Sequence, residues 1–352
     1  MFYIHMLLLL AVIFVGIRHG GIAFGLLGGL GVSVLAFVFG VAPGAPPISV
    51  MLIILAVVAA SATLEATGGL KLLVKFAEKL LRKHPEHIVF LGPLCTYSLT
   101  VLVGTGHSVY PLLPVIYDVA YKKGIRPERP LAMATVASQM GITASPIAAA
   151  AAVVLDNNLD INLLDVLMVT IPATLTGLLV ACTWSLKRGK DLDKDEEFQA
   201  RLTDDEFREA LTDPKADEVQ TPQAESTAKK GLTVFLLGIF AVIMVAMFSK
   251  QILPAGVSMS VAIQFMMLSV GGVILLATNI SPKKIVTSNV FTAGMTAVII
   301  IFGIAWMSDT IIEHHKTYLV SAVSDIVSVY PWTFAIAMFV SSIFLKSQAA
   351  VL

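Results

Sequence analysis

The residues of this chain that could do chemistry stand inside apolar sequence. Gly104-Thr105-Gly106-His107-Ser108 interrupts a stretch that is otherwise apolar from Ile88 to Ala120. A second interruption, Ser138-Gln139, then Gly141, then Thr143-Ala144-Ser145-Pro146, falls in the middle of the apolar run 130–155. A third, Ser347-Gln348-Ala349-Ala350, follows the run 332–345. Proline removes a backbone hydrogen bond, so the second run reads as a discontinuous helix. Freed backbone at membrane depth is tolerated only where protein or a water-filled cavity covers it. Where a helix restarts, its unpaired N–H groups carry a partial positive charge of about one half, enough to bind an anion without a fixed cation. Ser and Thr hydroxyls and the Gln139 amide would extend such a cup, and Gly104 and Gly106 allow close backbone approach. The bland alternative is that small and hydroxyl residues let membrane helices pack closely. It explains one break more easily than a hairpin tip, a broken span and a second tip at a similar place in its repeat.

Other candidates are weaker. His107 is ionisable within an apolar segment, a site candidate by default; it would donate to a carboxylate, carry a proton, or cap the second arm as a neutral ring. Lys346 either meets the anion directly or snorkels to an interface. Neither GxSxG nor HExxH accompanies Ser108, Ser145 or His107, which argues against an intramembrane hydrolase. Cys95 and Cys182 lie in apolar runs without CxxC and read as small hydrophobes. Asp309 and the stretch from Glu313 to His315 are expected to be solvated, and Tyr97, Tyr110 and Tyr117 to pack. No cofactor is expected, and coupling to Na+ or H+ is unassigned.

The elements that must position these residues follow from composition. Of 352 residues 57% are hydrophobic and 14% charged, with mean hydropathy +0.85. This is an all-α polytopic membrane protein with the lipid bilayer as its first partner. Net charge is zero, and no basic run is interleaved with aromatics, so nucleic acid is excluded as a partner. The first charge, Arg18, follows the N-terminal apolar run, which therefore reads as a retained span rather than a signal peptide. Runs long enough to cross about 30 Å of hydrocarbon lie at 2–17, 22–40, 50–67, 130–155, 163–186, 232–249, 255–278, 287–307 and 332–345. Each side of the insert in 88–121 is short, which predicts a re-entrant hairpin.

Basic residues sort the connections. Arg18, the Lys71 to Lys83 set, Lys122 to Arg129, the 187–230 stretch and Lys283-Lys284 are all cytoplasmic together only if the N-terminus is outside and both hairpin bases are cytoplasmic. Lys71, Lys75 and Lys79 recur at helical spacing opposite Leu72, Leu73, Phe76 and Leu80, predicting an interfacial amphipathic helix over 70–83. The 187–230 stretch holds 22 of the 48 charged residues (24 basic and 24 acidic) and reads as a solvated acidic linker. It divides the chain into a first repeat, 1–186, and a second, 231–352. Each repeat has three spans, an intervening segment, a proline (Pro85, Pro331) and a polar break at a similar interval. Entry of the second from the opposite side would make the repeats inverted, as in many secondary transporters. The second repeat is expected to be incomplete, ending at its hairpin tip.

The same residues carry a resemblance. RHGGIAFGLLGG at 18–29, GTGHSVY at 104–110, IRPERP at 125–130, ASPIAAA at 144–150, GKDLDKDEEFQ at 189–199, GIAWM at 303–307 and SQAA at 347–350 resemble the anaerobic C4-dicarboxylate transporters of the Dcu type, most closely the DcuB branch. The resemblance implies a bacterial inner-membrane carrier that takes up fumarate, malate or aspartate and releases succinate. It also implies the ion-transporter superfamily architecture, with an elevator motion of a mobile domain on a scaffold. A dicarboxylate or anion channel is the competing reading, and a homo-oligomer is compatible with either.

Overall fold

The computed structural model describes residues 1–148, 163–201, 222–318 and 332–333. Helices form because lipid offers no partner for backbone N–H and C=O groups, so each span must satisfy its own. They are α1 (Phe2–His19), α2 (Ala23–Phe37), α3 (Ile48–Ala66), α4 (Gly69–Lys83), α5 (Ile88–Val103), α6 (Leu113–Lys122), α7 (Glu128–Thr143), α8 (Leu163–Ser185), α9 (Glu196–Arg201), α10 (Pro222–Met247), α11 (Ser249–Ile252), α12 (Met259–Thr278), α13 (Pro282–Val286), α14 (Asn289–Ile300) and α15 (Trp306–His314). A π-helical turn, Ile301–Ala305, joins α14 to α15 in one continuous rod. Among the described residues, seven helical segments are long and apolar enough to cross a membrane. The chain is a multi-pass, all-α membrane protein.

The molecule is built around α3. Its residues Ile53, Ala56, Val57, Ala60 and Leu64 pack with Phe235, Ile239 and Val242 of α10 and Ile263, Met267 and Ile274 of α12. Its other side meets α14 and the π turn through Ile54, Val58, Val298 and Ile301. At the end of α3 the Glu65 carboxylate accepts a hydrogen bond from the Val290 N–H at 2.8 Å, placing negative charge at the positive end of α14. By contrast α1 and α8 are largely exposed along their length, as lipid-facing helices are. On α2, Gly25, Gly28 and Gly31 face Ile299, Gly303 and Met307, and a side chain at Gly25 would fall on the Ile299 carbonyl. Absent side chains are what allow these two backbones to touch.

The first arm of the hairpin is not short: the 3₁₀ turn Pro85–His87 and α5 together run 19 residues, about 28 Å at 1.5 Å per residue. The apolar part, α5, is 16 residues, and the polar turn Pro85-Glu86-His87 supplies the remainder. The amphipathic helix 70–83 forms, but it buries Leu70, Leu72, Val74, Ala77 and Leu81, while Phe76 and Leu80 are exposed. Packing against α10 and α5 selects a face rotated from the one that maximises distance from the lysines.

The start of the acidic stretch, 187–201, is largely exposed as expected but is tied to the start of α7 rather than loose. Buried Arg129 donates to the Arg188 carbonyl (2.6 Å), the Gly189 carbonyl (2.7 Å) and Asp191 Oδ1 (2.7 Å). Arg126 donates to Asp195 at 2.9 Å, and the Leu192 N–H to the Gly124 carbonyl at 3.0 Å. A buried guanidinium needs several acceptors, and these residues supply them. Residues 222–230 likewise belong to α10.

His315 is part-buried rather than solvated, whereas Asp309 is exposed as expected while capping a neighbouring backbone N–H. Asp309 accepts from the Ala45 N–H at 3.1 Å, and His315 Nε2 lies 2.9 Å from His5 Nδ1. The helix carries on past the expected end at 307, so these groups stay against α1 and the 39–47 connection. Glu313, by contrast, pairs with exposed Lys316 at 3.2 Å.

Candidate functional site

The hairpin tip forms because α5 meets a glycine. Gly104 takes φ 77°, ψ 6°, and its N–H closes the last turn onto the Thr100 carbonyl at 2.8 Å. A β-carbon makes this left-handed conformation costly, by about 1–2 kcal/mol. The final carbonyls of a helix lack partners within it, and one is met from outside: Ser61 of α3, fully buried, donates to the Val103 carbonyl at 2.9 Å. Ser61 is not among the residues that the sequence marks as part of the site. The available signal was Ser61 with Thr63, two hydroxyls amid an otherwise apolar and small-residue stretch.

From Gly106 the chain runs as a 3₁₀ helix to Leu112 and then as α6, antiparallel to α5, with Ile116 against Gly92. The bases of the two arms share one end of the molecule, where Arg82 of α4 holds Asp118 at 2.8 Å. The tip itself lies beside Val57, the tenth residue of the 19-residue α3.

The two breaks are adjacent. A β-carbon placed on Gly106 would lie 2.9 Å from the Gln139 amide nitrogen and 3.3 Å from the Ser138 carbonyl. One placed on Gly104 would lie 2.9 Å from Ile147, just past the Thr143 to Pro146 break. Gly141 lets α7 close on α5, with the Tyr97 carbonyl and the Thr100 side chain each 2.9 Å from a β-carbon there. After Thr143 the helix stops: the Ser145 N–H bonds the Ile142 carbonyl at 3.2 Å, and the Ile147 N–H reaches the Ser145 hydroxyl at 3.4 Å. Ala144, Ser145 and Pro146 are buried, whereas Gln139 is exposed.

Not every expected donor is available. The Ser138 hydroxyl donates to the Thr135 carbonyl and the Thr143 hydroxyl to the Met140 carbonyl, each at 2.7 Å. Both protons are thus engaged within α7, and the two oxygens present lone pairs. The junction also gathers two helix C-termini, of α5 and α7, and one N-terminus, at Gly106. It therefore offers carbonyl oxygens to a cation as well as N–H groups to an anion. Thr105 lies at the tip between Gly104 and Gly106. His107 and Ser108 follow in the 3₁₀ turn, and their side chains fall outside the described residues. So do the later part of 130–155, Lys346, and Ser347, Gln348 and Ala349. Tyr97 is buried and pairs with Thr174 at 2.8 Å, and Tyr117 stacks on Tyr121 at 6.0 Å, packing roles in both cases.

A family model described as the anaerobic C4-dicarboxylate membrane transporter matches residues 1–352. The chain belongs to that family. Among its relatives, the anaerobic C4-dicarboxylate transporter DcuB of Escherichia coli O157:H7 is 42% identical over 365 residues, covering 100% of this chain and 81% of the relative. The C4-dicarboxylate transporter DcuA of Wolinella succinogenes is 39% identical over 357 residues, covering 99% and 81%. That of Helicobacter pylori strain 26695 is 38% identical over 348 residues, covering 97% and 77%. As a member of the C4-dicarboxylate transporters the chain is not an enzyme, and the missing hydrolase motifs find their reason. The family match extends over the hairpin, α7 and the second half alike.

Proposed function

We propose that this protein exchanges C4-dicarboxylates across the bacterial inner membrane, fumarate, malate or aspartate entering against succinate leaving, in anaerobic metabolism. The observation that carries the site is the contact of Gly106 with Ser138 and Gln139, which joins the hairpin tip to the broken end of α7 beside the middle of α3. One carboxylate of the substrate is held by the N–H groups that open the turn at Gly106, with Thr105, His107, Ser108 and Gln139 around it. The other is held by the second repeat, at Ser347, Gln348 and Ala349. Ser138, Thr143 and Ser145 shape this cup chiefly by their backbone and lone pairs. The carbonyl ends of α5 and α7 at the same junction suit a coupling Na+. The N-terminus lies outside, the hairpin enters from the cytoplasm, and the two inverted repeats supply a mobile unit that carries the site past a scaffold in an elevator motion.

Exchange has a signature that a channel lacks. Protein reconstituted into liposomes is expected to accumulate labelled fumarate only when the lumen is loaded with succinate or another C4-dicarboxylate, and external monocarboxylates do not compete. Equal uptake into loaded and empty liposomes would replace the exchanger with an anion channel.

A further inference from the structure

At the end of the molecule that holds the N-terminus, His5 meets the consecutive pair His314 and His315 from the far end of the sequence. We propose that His5, His314 and His315 form a binding site for a divalent transition-metal ion of the zinc class. One ring nitrogen from each lies within 4.8 Å of the others. His5 Nδ1 and His315 Nε2 are 2.9 Å apart, and the His314 and His315 rings meet edge to face with centroids 4.8 Å apart. His5 is only 2% exposed, and its Nε2 has no hydrogen-bond partner among the described residues.

Two imidazoles at hydrogen-bond distance share a single proton, and only a proton or a metal ion can join their lone pairs. A metal bound by nitrogens at about 2.0–2.1 Å in tetrahedral geometry places them roughly 3.4 Å apart. The His5–His315 pair needs to open by about half an ångström to accept it. His314 is exposed, so its ring can turn in to close the third edge. The other two rings are already set in place. Phe39 stands edge-on to His5 at 4.9 Å, and Phe2 edge-on to His315 at 5.2 Å.

The donor set selects the ion. Neutral imidazoles without a carboxylate suit Zn2+, Ni2+ or Cu2+, and not Mg2+ or Ca2+. Among the described residues no carboxylate belongs to the cluster. Three protein nitrogens leave a fourth position for water. An ion here would join the start of α1 to the end of α15, two elements more than three hundred residues apart in sequence. Its effect would fall on how firmly those ends are held, separately from the hairpin tip.

The test is a Co2+ titration of the full chain, purified in detergent without a histidine tag, followed by visible absorption and by displacement with Zn2+. One Co2+ per chain is expected, with the ligand-field bands of a nitrogen-ligated site of low coordination number. His5→Phe and His315→Gln are each expected to weaken binding at least ~10-fold, while replacing His19, His84 and His87 together with glutamine leaves it unchanged. Zn2+ is further expected to raise the unfolding temperature of the wild type and not that of His315→Gln, a variant at a part-exposed position. Absence of stoichiometric binding, binding that survives both His5→Phe and His315→Gln, or binding lost with His19, His84 and His87 would overturn the assignment.

Discussion

Gly104→Leu is expected to abolish C4-dicarboxylate exchange while the protein still accumulates in the membrane. Two costs fall on one atom. The backbone at Gly104 has φ 77°, a conformation that asks about 1–2 kcal/mol of any residue with a β-carbon. The β-carbon itself would stand 2.9 Å from Ile147 and 3.2 Å from Val57, before the rest of the leucine is placed. Neither neighbour yields easily. Val57 is buried against α10 and α12, and Ile147 follows the buried turn at Ser145-Pro146. The tip must therefore shift away from α7, and with it the N–H groups proposed to hold the substrate. A loss of about 3 kcal/mol in substrate binding corresponds to roughly 100-fold in affinity. Uptake per inserted protein is the measure, with fluorescence-detected gel filtration reporting the amount and dispersity. Exchange within a factor of about two of wild type, well under 1 kcal/mol, would remove Gly104 from the site.

Gly25→Leu is expected to act on stability and not on substrate recognition. Its β-carbon would overlap the Ile299 carbonyl, and Gly303 presses back on Gly25 from the other helix. Overpacking against side chains costs about 1–3 kcal/mol because rotamers can adjust. A backbone carbonyl has no rotamer, so α2 must leave the π turn altogether, exposing Gly28 and Gly31 as well. At about 2–4 °C per kcal/mol, a penalty near 3 kcal/mol lowers the unfolding temperature by roughly 6–12 °C. Gly29→Leu is the control on the same helix. Nothing lies within 4 Å of its β-carbon, and its unfolding temperature should match wild type within error. Equal effects of the two changes would mean that helix propensity and not the crossing is being read.

Hydrophobic run length located most of the span-length helices because the bilayer imposes one length on them, but it missed Pro85–Val103 and counted 22–40, which folds as the 15-residue α2. The two breaks were legible for a related reason: glycine, proline and hydroxyl residues are conspicuous in apolar sequence. The contact of Gly106 with Gln139 sets them side by side in the fold. Charges misled where they were paired at long range. Asp191 and Asp195 read as solvated because their partners, Arg129 and Arg126, lie some sixty residues earlier. His315 read as solvated because its partner is His5. Composition of a segment reports its average fate, and a long-range pair is an exception that only the fold reveals. Ser61 escaped for the opposite reason: a buried hydroxyl in a membrane helix ordinarily bonds its own preceding turn, and nothing local announces that this one reaches across to Val103.

The most direct measurement places a thiol in the proposed cup. Thr105→Cys, in a chain whose buried Cys182 and half-buried Cys95 are replaced by alanine, is reconstituted and labelled with a membrane-impermeant maleimide. Fumarate or succinate at about ten times its dissociation constant is expected to slow labelling about tenfold, as simple occupancy requires, while a monocarboxylate of similar size gives no protection. Labelling at the same rate with and without dicarboxylate, in a variant that still exchanges, would show that substrate passes elsewhere.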